Sequence, residues 1–67
     1  MPKFSERLKE LRIEKNLTQT DVSKGTGLSQ TAIANWENEN RIPNANAVIA
    51  IAQFFGVSTD YLLGLEK

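Results

Sequence analysis

Turn and capping residues recur so often along this chain that only short helices fit between them. Asn16, the pair Gly25 and Gly27, Pro43 and Gly56 each interrupt a helix-compatible run. Thr18, Ser29, Asn44 and Ser58 follow these breaks with side chains suited to cap a new helix. The pattern predicts a first helix over residues 4–15, a second capped by Thr18 and running to about 24, and a third capped by Ser29 and running to about 38. A fourth, capped by Asn44, ends at Gly56, and a short fifth runs from Ser58 to about 63. Gly25 and Gly27 together are expected to end the second helix, since glycine accepts the left-handed backbone of a tight exit. Only residues 17–22 hint at a strand, and they are too polar for one. The expected fold class is all-α.

Apolar spacing within these segments supports the same reading. Phe4, Leu8 and Leu11 cluster on one helical face, with Arg12 at its margin and Ile13 pointing away. Val48, Ile51, Ala52 and Phe55 form an i, i+3, i+4, i+7 stripe. The expected core is Phe4, Leu8, Leu11, Val22, Leu28, Ile33, Trp36, Val48, Ile51, Ala52, Phe55, Val57 and Leu62.

With 67 residues the chain makes one domain, residues 1–67, with a core of marginal size. It has no cysteine and no histidine, so the common zinc sites and disulfides are excluded and no cofactor or metal is expected. Catalysis would fall to carboxylates, lysine or tyrosine, and the stripe Glu6, Glu10, Glu14 reads better as a solvated helix face. An enzyme is not expected. No apolar run is long enough for a membrane span and no signal-peptide core is present, which makes the cytoplasm the expected location.

Eight basic residues balance eight acidic ones, where a nucleic-acid partner would favour a basic surface. The distribution is uneven. Lys3, Arg7, Lys9, Arg12 and Lys15 against Glu6, Glu10 and Glu14 leave residues 1–15 at a net +2. Lys24 and Arg41 against Asp21, Glu37 and Glu39 leave residues 18–42 at −1.

The most informative stretch is residues 19–36. Val22, Leu28, Ile33 and Trp36 supply apolar contacts spaced to lock two short helices at a steep angle across a turn at Gly27, with the small Ser23 at their closest approach. Placing Ile33 and Trp36 inward sends Thr31, Ala34, Asn35 and Asn38 outward, with Gln30 on the exposed first turn. Glutamine and asparagine can each bond an adenine edge bidentately, and a threonine methyl can touch a thymine methyl. Taken alone, this is equally a solvated polar face. Glu37 lies about 40° from Ile33 on the helical wheel, on the inner side, where Arg12 can meet it.

Residues 4–65 resemble the phage-repressor/Cro-type helix-turn-helix family, the lambda-repressor-like domains. The resemblance rests on Arg7-Leu8-Lys9-Glu10-Leu11-Arg12, Leu17-Thr18-Gln19, Gly27-Leu28-Ser29, Ile33-Ala34-Asn35-Trp36-Glu37-Asn38, Arg41-Ile42-Pro43, Phe54-Phe55-Gly56-Val57-Ser58 and Asp60-Tyr61-Leu62-Leu63-Gly64, in the family's order. It implies a five-helix bundle containing a helix-turn-helix, whose third helix enters the major groove of double-stranded operator DNA, as a homodimer on a near-palindromic site. It implies base reading by Gln30, Thr31 and Asn35, with Ala34 allowing close approach. Backbone contacts are implied at Gln19, Ser29, Asn38, Asn40 and Arg41, and an ion pair between Arg12 and Glu37 beneath the recognition helix. The implied function is a sequence-specific transcriptional regulator, a repressor. The chain departs from the family's pattern after the third helix. Glu39 and Asn40 stand where a glycine and then a lysine or arginine are common, so a phosphate-seeking charge is missing and a repulsive one present.

The rival reading is a protein-interaction or antitoxin-like module on the same fold with weak DNA binding. Zero net charge, Glu39 and the outward Ile13 favour it; the polar face and the order of motifs favour DNA.

Overall fold

The computed structural model describes residues 2–66. They form α1 (Pro2–Glu14), α2 (Gln19–Thr26), α3 (Gln30–Glu37), α4 (Ala45–Phe55) and α5 (Thr59–Leu63), with no strand among the described residues. The helices start where the sequence places caps. Thr18 and Asp21 form a reciprocal capping box, the Thr18 hydroxyl accepting from Asp21 N–H (3.0 Å) and the Asp21 carboxylate from Thr18 N–H (2.9 Å). Ser29, Asn44 and Ser58 accept from Ala32, Ala47 and Tyr61 N–H respectively. α1 starts at Pro2, two residues earlier than expected, because proline's fixed φ and missing N–H suit a first helical turn.

The ends of α1, α3 and α4 share a device. A left-handed residue turns the chain so that the next N–H reaches back to close the last turn: Leu17 to Arg12 O (2.9 Å) after Asn16, Asn40 to Asn35 O (2.8 Å) after Glu39, Val57 to Ala52 O (3.0 Å) after Gly56. The exit from α2 differs from expectation. Gly27 alone ends it, at φ 78, while Gly25 remains inside the helix. Gly25 serves a close approach instead: a Cβ there would lie 2.1 Å from the Phe54 ring of α4.

The core joins α1, α3, α4 and α5 around Phe4, Leu8, Ile33, Ile51 and Leu62, with Val22 from α2 and the Phe4 ring edge-on to Trp36 at 6.2 Å. Leu28 and Val57 are only half-buried, against expectation, because each sits in a turn behind a left-handed glycine and keeps one side at the rim. Ala47 is buried and was not expected; it lies one turn before Ile51 on the α4 stripe.

Candidate nucleic-acid interface

α2 and α3 are locked by short-range bonds across their turn. The Ser23 hydroxyl donates to Leu28 O, the Thr26 hydroxyl donates to Val22 O (2.7 Å), and Leu28 N–H donates to the Thr26 hydroxyl (3.2 Å). Ser23 is thus more than a small residue at a close approach. Ile33, Trp36 and Glu37 anchor α3 from within. Its outer side carries Gln30 and Thr31, both exposed, and Ala34 and Asn35, both half-buried. Ser29 at the start of α3, and Asn38, Asn40 and Arg41 after it, are exposed along the same edge of the sequence.

Beneath α3 a chain of polar contacts runs from α1 to the first turn of α3. Arg12 Nε donates to Glu37 Oε2 (2.7 Å) and Nη2 to Oε1 (2.9 Å), a two-pronged pair whose Glu37 side chain is 3% exposed. Arg12 Nη1 also donates to Leu17 O (3.0 Å), fixing the α1–α2 connection. The bond to Glu37 holds the Arg12 pKa above its ordinary value, the carboxylate charge adding to this and partial burial opposing it. The Gln19 amide donates to Glu37 Oε1 (3.3 Å), and its oxygen accepts from Gln30 Nε2 (2.8 Å). Gln19 therefore connects the ion pair to the first turn of α3. That leaves Gln30 with its own oxygen and a second amide N–H for an outside partner. The Gln19–Gln30 bond carried no signal in the sequence, where the two residues are eleven apart.

One further residue, Ile42, was read from the sequence only as part of the Arg41-Ile42-Pro43 motif. A cleft of about 340 Å³ separates α3 from the following loop, with Ser29, Thr31 and Asn35 facing Arg41, Ile42 and Asn44. Ile42 belongs to no apolar stripe, and that isolation between a cation and a proline was the only available signal. Among the described residues no group of three acidic side chains converges as metal ligands. None of the helices there is long and apolar enough to cross a membrane.

The sequence profile of the helix-turn-helix domain matches residues 5–67. The chain belongs to this helix-turn-helix family. It is 41% identical over 64 residues to the HTH-type transcriptional activator BcrR of Enterococcus faecalis, covering 96% of this chain and 31% of BcrR. The HTH-type transcriptional regulator ImmR of Bacillus subtilis (strain 168) is 31% identical over 64 residues, 96% of this chain and 50% of ImmR. Repressor protein C2 of Salmonella phage P22 is 33% identical over 60 residues, 90% of this chain and 28% of C2. The chain thus spans half or less of the length of these three relatives. Its structure matches that of the P22 c2 repressor in complex with a synthetic operator at a TM-score of 0.86 and 30% identity, covering 94% of this chain and 96% of the other. The lambda-repressor-like fold inferred from the sequence is therefore the fold of this helix-turn-helix chain. The same family membership supports the expectation that it is not an enzyme.

Proposed function

We propose that residues 1–67 form a DNA-binding domain of a cytoplasmic transcriptional regulator, which represses by placing α3 in the major groove of a near-palindromic operator. The observation that carries this is the division of α3. Ile33, Trp36 and Glu37 fasten it inward, and the outer side offers Gln30, Thr31, Ala34 and Asn35, short polar or small groups suited to base edges. Ser29, Asn38, Asn40 and Arg41 are the proposed backbone contacts. The P22 relative's structure with an operator supports the choice of partner. Selection of bound duplexes from a random pool tests the proposal: a recurrent sequence is expected, and indifferent binding would count against it.

Two copies are proposed to bind together, with recognition helices about 34 Å apart. Residues 61–65 offer apolar groups for such a contact, but they divide in the structure. Leu62 is buried, and Tyr61 is held by α1, with the Arg7 guanidinium 4.2 Å from its ring centroid and Arg7 Nη1 donating to its carbonyl (2.7 Å). Leu63 and the exposed Leu65 remain, and α4 adds Ile49, 46% exposed, beside an apolar groove of about 260 Å³ between α4 and α5. Ile49→Lys is expected to convert operator footprints from two half-sites to one.

Ile13, 57% exposed among Glu6, Lys9, Glu10 and Glu14 on α1, favours the second reading of a protein-interaction module. Salt separates the two. Binding through phosphates weakens steeply as salt rises, and an apolar protein interface does not.

A further inference from the structure

α1 has an outer face that operator binding leaves unused. Phe4, Leu8 and Leu11 turn one side of the helix into the core, and the exposed Ile13 stands opposite them. A single apolar side chain in water is ordinary. This one lies in a shallow hollow of about 480 Å³ walled by Glu6, Lys9, Glu10 and Glu14. The three glutamates recur at i, i+4 and i+8, so they form one row along the flank of Ile13, about 6 Å apart along the axis. Glu6 shares an exposed pair with Lys3 (3.9 Å), while Glu10 and Glu14 have no ion-pair partner among the described residues.

We propose that this face docks a basic amphipathic helix of another protein, its apolar stripe laid on Ile13 and its lysines or arginines at i, i+4 and i+8 along the glutamates. Charge decides the occupant. The five lining residues carry three carboxylates against one ammonium, and Lys3 at the edge still leaves an acidic excess. Such a face repels DNA phosphates, and it repels the identical face of a second copy. A basic helix is attracted, and its own one-turn spacing matches the interval between the glutamates. The apolar anchor supplies affinity, and the charged row selects the partner and its direction. A contact one helix wide is weak and reversible. The face lies opposite the side of α1 that packs on α3 and α5, so the partner can sit there while α3 is occupied. The contact adds to DNA binding and does not depend on it.

The probe is a synthetic helical peptide with a leucine stripe and lysines at i, i+4 and i+8 beside it, titrated against the whole chain by NMR. Resonance shifts are expected along α1, at Ile13 and the three glutamates, and not at Gln30 or Asn35. Ile13→Ser is expected to weaken the peptide about tenfold, the scale of covering an isoleucine. The double variant Glu10→Gln, Glu14→Gln should weaken it about fivefold. All three residues are exposed, so both variants should melt with the parent and keep its affinity for the selected operator. A peptide with glutamates in place of its lysines should not bind. Equal binding by a peptide with serines in place of its leucines would reduce the contact to charge alone and overturn the proposal. Unchanged peptide affinity of Ile13→Ser overturns it as well. Sedimentation showing a parent dimer that Ile13→Ser dissolves would make the occupant a second copy, again overturning it. Failure of the parent to select an operator would remove the DNA-binding reading and leave this contact standing.

Discussion

Arg12 and Glu37 meet fork to fork, through contacts of 2.7 and 2.9 Å, and so fasten α1 to α3. The pair is unequally sheltered: the Glu37 side chain is 3% exposed and that of Arg12 16%. A buried pair gains little over apolar packing, but removing one partner strands the other. Glu37→Ala is expected to destabilise the domain by about 3 kcal/mol, the low end of the range because water reaches Arg12. Chemical denaturation of parent and variant measures this; a loss near zero would show that the guanidinium finds other solvation.

The Gln19–Gln30 bond ties this pair to the proposed base-reading side of α3. Gln30→Ala and Asn35→Ala are each expected to cost about 1–3 kcal/mol of operator affinity and to relax preference at one base position. Gln19→Ala should relax the same position as Gln30→Ala, and the double variant should lose less than the two losses added. Additive losses in a double-mutant cycle on the operator would show that Gln19 acts separately, as a plain phosphate contact.

Glu39 holds a left-handed backbone at φ 61 just beyond the Asn38 cap of α3, and its turn closes the helix as Gly56 and Gly64 do after theirs. Glycine carries no steric penalty there, so Glu39→Gly should stabilise the fold by about 1 kcal/mol despite a freer unfolded chain. The double change Glu39→Gly, Asn40→Lys should also tighten binding to every duplex and steepen the salt slope by about 0.9. Glu39→Gln separates charge from strain, raising affinity without raising the melting temperature. An unchanged affinity and salt slope in the double variant would place this loop away from the DNA backbone.

Acid should act on the α2 cap. Bonds from Thr18 N–H and the Thr18 hydroxyl lower the Asp21 pKa, with desolvation opposing and Lys24 assisting. A carboxyl lowered on folding stabilises above its unfolded pKa, about 3.9, and that stabilisation disappears as pH falls through the lower folded value. The melting-temperature gap between parent and Asp21→Asn should be constant near neutrality and narrow below about pH 4. A gap independent of pH would show that the charge contributes nothing to the cap.

The sequence alone determined where α2 to α5 start and which side of α3 faces inward. Thr18, Ser29, Asn44 and Ser58 bond N–H groups only three residues ahead, and the inward positions of Ile33 and Trp36 follow from helical geometry. Such interactions are complete within one turn of chain, so residue type and spacing suffice to read them. The family's motifs added the Arg12–Glu37 pair, which spacing only suggested. Tertiary structure decided what depends on distant segments arriving together: Gly25 beneath Phe54, Gln19 against Gln30, and Tyr61 drawn under Arg7 and away from the proposed dimer face. It also left Ile42 in water beside α3. An isolated apolar residue in a loop has no periodicity to reveal its surroundings. Its exposure is settled only when the helices on either side have packed.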